Sequence, residues 1–327
     1  MTEPAPAAPR PTFRHRVEYV ALRSFAATVG VVGLRVGSAL ARALTPLYCL
    51  ADRRHVRVAE DNIRERLGLE PAAARKMARA SFRHLFLSAV EIVQLDREIA
   101  RRGFENVVAV ENVEVMEQAL AAGKGVVLVT GHLGNWEAVA RLCKVRGWKI
   151  STIYRPLDNP LLDRWIESFR RAHGQEMAPK RGAIRNMLRA IRRGGVGALL
   201  VDQDARRHGV MVPVLGRLAS TVRTPAELAL RTDAAIITVF TARTGPGFRH
   251  VVRFDPPLPL DPSGDHDADV LRIMTEINRR LEAALRRAPE QWLWAHRRWK
   301  SSPPVGASAG VGHAIDDDDS GDAEDLA

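Results

Sequence analysis

The chain has 327 residues with 46% apolar side chains, enough to fill a sizeable core, which excludes a disordered or fibrous protein. Lysine and arginine total 49 against 38 acidic side chains, and the last 27 residues hold seven of those acids and neither Lys nor Arg. Residues 1–300 therefore carry a strong positive charge. Such a charge favours an anionic partner: nucleic acid, an acidic membrane face, an acidic protein or a phosphorylated substrate.

Both ends of the chain have the composition of segments that do not fold. Residues 1–16 begin with a Pro/Ala-rich stretch, and residues 301–327 are rich in Ser, Gly and Asp. Segments of this kind bury too little apolar surface to offset the entropy of ordering. We therefore predict a disordered N-terminus over 1–16, a disordered acidic tail over 301–327, and one folded domain over 51–300.

The stretch 17–50 is mostly apolar and small, and we predict a membrane-associating helix there. A bilayer crossing needs about 20 apolar residues, whereas the longest uncharged run here, Ser24 to Leu34, has only eleven. Arg35 and Arg42 are seven apart and fall on nearly one helical face, as in a helix lying in the headgroup layer. A monotopic and a single-pass arrangement both stay open, and so does a buried helix of the domain.

The pattern of the domain predicts an α/β fold with a mainly parallel central sheet flanked by helices. Two helical stretches, about 52–67 and 71–100, come first. Short apolar strands and helices then alternate: strand 125–130, a helix from about 135, strand 148–154, helix 160–173, strand 195–201, helix 224–232, and strands 235–241 and 248–254. The last two strands predict a hairpin at one edge of the sheet.

Ligands of open α/β sheets bind at the carboxyl ends of the strands, so the residues that follow each strand are the candidates for a site. The strand 125–130 delivers His132 into a loop between two glycines, after which a helix begins. Glu137 in the first helical turn can turn back to the imidazole, fix its tautomer and raise its basicity, as a general base requires. The alternative is that Glu137 only favours the helix dipole and His132 is a polar loop residue.

Two further strand ends offer polar groups. Arg155 follows the strand 148–154, where it could clamp a phosphate or polarise a carbonyl, and Asp202 and Gln203 follow the strand 195–201. Each also fits a solvated surface loop.

The sequence 289–300 contains three tryptophans among basic side chains. Such a segment could stack on bases, lie at a membrane interface or pack the C-terminus onto the core.

Other catalytic signatures are missing from the sequence. It has no Gly-x-Ser-x-Gly elbow between a strand and a helix, since that pattern occurs only at 306–310 in the Ser/Gly/Asp-rich tail. It also has no phosphate-binding Gly-x-x-x-x-Gly-Lys-Ser/Thr loop, no His-Glu-x-x-His pair and no Gly-x-Gly-x-x-Gly after a strand. Covalent serine catalysis, nucleotide hydrolysis, zinc proteolysis and dinucleotide redox chemistry lose support, and no metal site is predicted.

Taken together, these segments resemble the late acyltransferases of lipid A biosynthesis, the lauroyl/myristoyl acyltransferase family within the lysophospholipid acyltransferase superfamily. The resemblance covers roughly residues 17–300. It rests on five segments in family order: the His-x4-Glu box with its continuation over 131–137, Tyr-Arg-Pro at 154–156, Asp-Gln at 202–203, the stretch 216–229, and 289–298 near the end.

The resemblance implies an enzyme of lipid A and lipopolysaccharide biosynthesis at the cytoplasmic face of the inner (plasma) membrane. It would move an acyl chain from acyl carrier protein or acyl-CoA to a hydroxyl of a lipid A precursor or related glycolipid, with no cofactor and no metal. The implied partners are acyl carrier protein, anionic membrane lipids and the glycolipid acceptor, and not nucleic acid.

The resemblance also assigns roles to residues. His132 becomes the general base and Glu137 its partner, and Asn135, Arg155, Asp202 and Gln203 become candidates for substrate binding or orientation. Backbone amides around Gly134, together with Arg155, would stabilise the oxyanion.

Three alternatives stay open at this point. The same machinery could acylate another lipid, such as a phosphoinositide mannoside, a lysophospholipid or an amino-acid lipid. A basic nucleic-acid-binding protein would use the tryptophan/arginine ending instead, and a structural membrane-surface protein would use only its N-terminal helix.

Overall fold

The computed structural model describes residues 11–154, 157–179, 183–245 and 247–303. Arg155, residues 1–10 and the tail from 304 onward lie outside the described residues, and so do the predictions made for them. The first helix begins at Phe13, with Thr12 as its N-cap, so residues 13–16 are helical where disorder was expected. Thr12 Oγ1 accepts from the His15 backbone N–H, and His15 Nδ1 accepts from the Thr12 N–H.

The described helices are α1 (Phe13–Ala51), α2 (Arg53–Leu67), α3 (Pro71–Arg102), α4 (Val113–Ala121), α5 (Glu137–Val145), α6 (Pro160–Ala172), α7 (Ala183–Arg192), α8 (Thr224–Thr232) and α9 (His266–Arg287). The described strands are β1 (Val108–Glu111), β2 (Val126–Thr130), β3 (Ile150–Tyr154), β4 (Gln175–Pro179), β5 (Val196–Leu200), β6 (Gly209–Val214), β7 (Arg217–Val222), β8 (Ala235–Arg243) and β9 (His250–Phe254).

The central sheet has seven strands in the order β1-β9-β8-β2-β5-β3-β4, and β6 and β7 form a separate antiparallel hairpin. Every neighbouring pair in the large sheet is parallel except β8 and β9. The predicted α/β fold with a mainly parallel sheet is confirmed. The hairpin of β8 and β9 does not form the edge, because β1 pairs with the outer side of β9.

The central strand β2 is buried along its whole length. Because successive side chains of a strand point to opposite faces, Val127 and Val129 join one hydrophobic cluster while Val126 and Leu128 join another. The two clusters form the cores on either face of the sheet and hold the strand end, and so the loop after it, in place.

Helix α1 packs one side on α3 and leaves the other side exposed. Its buried positions include Val29 and Ala41, which form a small cluster with Leu87 and Val90 of α3. The helix is interrupted at Gly33, whose φ of +77° and ψ of 178° are not helical. By length and composition α1 is capable of crossing a membrane, and its exposed apolar face fits the predicted association with lipid.

Candidate active site

The candidate site lies at the carboxyl ends of β2 and β5, which are neighbours in the sheet. Thr130 at the end of β2 is opposite Leu200 at the end of β5, and the Val201 N–H donates to the Thr130 carbonyl at 3.1 Å. The loops that follow the two strands therefore leave the sheet side by side. This arrangement brings together His132 from the first loop and Asp202 from the second.

The carboxylate that contacts the His132 ring is Asp202. His132 Nδ1 lies 2.8 Å from Asp202 Oδ1, and the His132 backbone N–H donates to Asp202 Oδ2 at 2.6 Å. Trp292 Nε1 also donates to Oδ2, at 2.9 Å. Burial acts to raise the pKa of Asp202, but the charge and hydrogen bonds of His132, with the bond from Trp292, outweigh it and hold that pKa well below its usual range.

This geometry determines which nitrogen of His132 is free for proton transfer. An ionised carboxylate only accepts hydrogen bonds, so Nδ1 carries the ring proton and its N–H donates a hydrogen bond to Asp202. In the neutral ring Nε2 is then the basic nitrogen. The side chain of Asp202 is 2% exposed and that of His132 is 19% exposed. The ring of Trp136 meets the imidazole edge-on, with centroids 4.9 Å apart.

Glu137 does not brace His132, and the prediction for this pair is wrong in its geometry. Its Oε2 accepts from Arg141 Nη1 at 3.0 Å and Gln175 Nε2 at 3.2 Å, and its Oε1 lies 2.9 Å from Arg170 Nη2. Because α5 begins at Glu137, the first turn directs this carboxylate towards α6 and β4. Glu137 therefore ties the helix behind the loop to its neighbours.

Two glycines shape the loop that carries His132. Gly134 has a φ of +61°, and a Cβ there would lie 2.4 Å from the Thr241 carbonyl oxygen. A Cβ on Gly131 would lie 3.0 Å from Asp202 Oδ2, so this glycine admits the carboxylate. The Gly134 N–H donates to the Gln291 carbonyl at 3.0 Å. That amide is thus already satisfied and is not available to an oxyanion, while the prediction for the other amides of the loop stays a prediction.

Asn135 is fully buried, and neither its Nδ2 nor its Oδ1 has a hydrogen-bond partner among the described residues. The indole N–H of the adjacent Trp136 is also buried without a hydrogen-bond partner among the described residues. A buried donor without a partner is costly, so these two groups are candidates to bind a water or a substrate oxygen. Gln203 has an exposed side chain, and its carbonyl accepts from Arg298 Nη1 at 3.3 Å.

The C-terminal segment supplies residues that sequence reasoning left without a role. Trp292, Trp294 and Trp299 are 3%, 0% and 7% exposed, so they pack on the core and cannot stack on bases. Arg298 is fully buried and donates to the Ser220 carbonyl at 2.5 Å. The Asp204 N–H donates to His296 Nε2 at 2.9 Å, and burial lowers the pKa of this histidine to about 4.

The contacts of Trp292, His296 and Arg298 hold the loop that contains Asp202. The 289–298 segment stands out in the sequence, but the sequence alone does not show this role, because the residues that the segment contacts are about 90 positions away in sequence.

A cavity of about 400 Å³ lies at the opposite, amino end of the strands, lined by Lys124, Gly125 and Ala235 among others. It precedes β2 and β8 instead of following them, so it is remote from His132 and has no part in the site described above.

The fold and site define an α/β protein with a carboxylate-braced histidine at the carboxyl ends of a mainly parallel sheet. The sequence profile described as "Bacterial lipid A biosynthesis acyltransferase" matches residues 11–301, and the chain belongs to this family. The resemblance drawn from the motifs is confirmed.

Individual relatives are similar at lower coverage. The chain is 29% identical over 210 residues to the lipid A biosynthesis lauroyltransferase of Escherichia coli K12, covering 64% of this chain and 65% of that protein, which is less than two thirds of its length. It is 26% identical over 240 residues to the lipid A biosynthesis palmitoleoyltransferase of the same organism, 72% and 74% of the two chains. A phosphatidylinositol mannoside acyltransferase of Mycobacterium tuberculosis is 30% identical over 126 residues, 37% and 40% of the chains.

Proposed function

We propose that this protein is an acyltransferase that moves a fatty acyl chain from a thioester donor to a hydroxyl of a lipid A precursor or a related glycolipid. The observation that carries the proposal is the contact of His132 Nδ1 with Asp202 at the carboxyl ends of β2 and β5, which leaves Nε2 as the base. Family membership supports the acyl-transfer chemistry.

The proposed reaction has two steps. His132 Nε2 takes the proton of the acceptor hydroxyl while the alkoxide oxygen attacks the thioester carbonyl carbon, giving a tetrahedral intermediate and an imidazolium. The intermediate then collapses, the carbon–sulfur bond breaks, and the imidazolium returns the proton to the departing thiolate. Asp202 stabilises the imidazolium and keeps the ring in the productive tautomer, as the carboxylate of a serine-protease triad does. Asn135 Nδ2 and Trp136 Nε1 are the candidates to stabilise the oxyanion.

The donor is acyl carrier protein or acyl-CoA, both of which carry the chain on a thiol, so the reaction calls for neither a metal nor a cofactor. The excess of cationic over acidic side chains suits an acidic carrier protein as well as anionic lipid. The charge alone does not distinguish between the carrier protein and the lipid. In this proposal Gln203 and Arg155 contact the substrates.

The exposed apolar side of α1 supports membrane association. We place the protein at the cytoplasmic face of the inner (plasma) membrane, where a carrier-bound donor and a lipid acceptor meet. Because one side of α1 is packed on α3, we favour a helix lying on the membrane over one that crosses it alone.

Acylation of a phosphoinositide mannoside is the second candidate. The 30% identity with the mycobacterial phosphatidylinositol mannoside acyltransferase favours it. The two candidates share the donor chemistry and His132, and they differ only in the lipid that presents the hydroxyl.

The test is mass spectrometry of total lipids from cells that lack the gene, restored with the wild type or with His132→Ala. Wild type should restore one acyl group on one lipid class, and the mass difference identifies acceptor and chain together. His132→Ala should not restore it, since loss of a general base costs about 10²–10⁴-fold in rate. His266→Ala, at a histidine whose side chain is 50% exposed, serves as the matched control. Restoration by His132→Ala would overturn the proposal.

A further inference from the structure

Three arginines from three different elements form one group of interacting charges near the candidate site: Arg42 of α1 and Arg83 of α3 both act through their charges on Arg243 at the end of β8. Arg243 is the most rigidly held. Its Nη1 and Nη2 lie 2.6 and 2.8 Å from the two carboxylate oxygens of Glu91, which is 1% exposed. The Arg243 side chain itself is 17% exposed, so a ligand can reach it.

The packing of α1 on α3 determines where Arg42 and Arg83 lie along this helix pair. The two helices run antiparallel, because Gln94 Nε2 donates to the Val29 carbonyl at one end while the ring of Tyr48 packs 5.3 Å from Phe82 at the other. Arg42 and Arg83 therefore fall at the same end of this pair. Burial lowers the pKa of the Arg243 guanidinium, the charge of Glu91 opposes this, and the charges of Arg42 and Arg83 lower that pKa further.

The cluster has an excess of positive charge. The acid in contact with it is Glu91, and burial raises the pKa of that carboxyl to about 7, against the opposing charge of Arg243. Arg42 and Arg83 are exposed, and neither forms an ion pair within the described part of the chain. Like charges repel one another, and a bound anion relieves that repulsion.

The cluster is joined to the loop that carries His132. The Gln291 side chain accepts from the Arg243 N–H at 2.7 Å and donates to its carbonyl at 3.1 Å, while the Gln291 carbonyl accepts from the Gly134 N–H. An anion at the cluster would thus stand at a defined position beside the base.

Helix α1, which carries Arg42, also exposes apolar side chains, among them Leu47 at 61% and Leu50 at 66%. A ligand that contacts both features has an anionic group next to hydrocarbon. Guanidinium groups form forked, charge-assisted hydrogen bonds with phosphate, so a lipid phosphate fits this combination.

We infer that Arg42, Arg83 and Arg243 bind the phosphate of the lipid acceptor and so hold its hydroxyl at His132, with its chains along α1. This inference rests on the proposed function, since it names the part of the acceptor that the site recognises.

The first experiment measures binding without turnover, in full-length protein carrying His132→Ala. The probe is monomeric dihexanoyl phosphatidic acid, with dihexanoylglycerol as its uncharged counterpart, in titration calorimetry. Adding Arg83→Gln should weaken binding of the phosphatidic acid by a factor of about 10 to 100, the range for a hydrogen bond to a charged group. Binding of dihexanoylglycerol should not change. Arg83→Lys, which keeps the charge and loses the fork, should fall between the two.

The control is Arg193→Gln, which removes the same charge from an exposed arginine before β5, at the opposite end of the sheet from Asp202. It should bind the phosphatidic acid as the parent does. Equal affinity of the Arg83→Gln and Arg193→Gln proteins would overturn the inference.

A second arm separates the acceptor phosphate from the bulk membrane surface. It measures co-sedimentation with phosphatidylcholine vesicles that contain phosphatidylglycerol. If Arg83→Gln weakens only this vesicle binding and leaves the phosphatidic acid unaffected, the cluster serves the membrane surface and the inference is wrong. If the phosphatidic acid binds through Arg83 but wild type transfers no acyl chain, the phosphate site stands and the proposed function fails.

Discussion

At the scale of single residues, the proton chemistry proposed for His132 depends on the hydrogen bond from its Nδ1 to Asp202. Asp202 accepts from the His132 backbone and ring and from Trp292, so both of its oxygens are occupied and its orientation is determined. Glu137 is equally buried but has cationic partners, Arg141 and Arg170. Substitutions of the two acids should therefore have different effects, one on turnover and the other on stability.

Asp202→Asn should lower turnover by about 10²–10⁴-fold with a modest effect on melting temperature, because the neutral amide cannot stabilise the imidazolium or select its tautomer. Glu137→Gln should do the reverse. It removes the nearer acidic partner of the Arg141 guanidinium, which is 2% exposed and keeps Asp96, 3.4 Å from its Nε. Breaking a buried pair costs about 3–5 kcal/mol. Turnover and thermal unfolding of both variants check this, and the opposite pattern would make Glu137 the partner of the base.

At the scale of elements, α1 has one face that packs on α3 and another that is exposed. The face that contains Val29 and Ala41 packs on α3, and Gly37 lies so close that a Cβ there would stand 3.0 Å from Val90 Cγ1. The other side of the helix exposes Val36, Leu47 and other apolar side chains. The first face stabilises the fold, and the second is available to lipid.

The double variant Leu47→Glu/Leu50→Glu should reduce co-sedimentation with lipid vesicles at least about tenfold, since burying each leucine is worth about 1.5–3 kcal/mol. These side chains are 61% and 66% exposed, so the melting temperature should not change. Val145→Glu is the matched control: this valine is 57% exposed at the end of α5 and lies outside α1. Equal loss of vesicle binding in the control would remove α1 from the membrane contact.

At the scale of the whole molecule, buried imidazoles set the response to acid. Burial lowers the pKa of His84 and His296 to about 4 and that of His250 to about 3. The folded protein keeps these rings neutral, whereas the unfolded chain takes up protons below about pH 6.5. Because the unfolded state then binds more protons, the free energy of unfolding falls as the pH drops from about 6.5 towards 4.

We expect the melting temperature to fall over this range, although Glu91, whose pKa is raised to about 7, opposes the trend with one group. His250→Phe should flatten the fall, since both ring nitrogens of His250 lack a hydrogen-bond partner among the described residues and a phenyl ring has nothing to titrate. Melting curves between pH 4 and 8 provide the measurement, and a melting temperature that rises on acidification would contradict it.

Local patterns were enough for much of this molecule. The alternation of strands and helices predicted the mainly parallel sheet, and the position of His132 after a buried strand predicted its place at the carboxyl ends of the strands. These features depend on side-chain periodicity and turn residues close together in sequence. Elements with weaker patterns, such as β4, α7 and the hairpin of β6 and β7, were not predicted.

Contacts distant in sequence were decided only by the tertiary structure. The sequence placed a histidine and a glutamate five residues apart, and this proximity suggested the wrong pair. The partner of His132 is 70 residues further on and reaches it because β5 lies beside β2 in register. The same holds for Arg42, Arg83 and Arg243, which are far apart in sequence and whose charges act on one another only in the folded chain. Such pairings are settled by how the layers pack, a non-local property that no short stretch of sequence expresses.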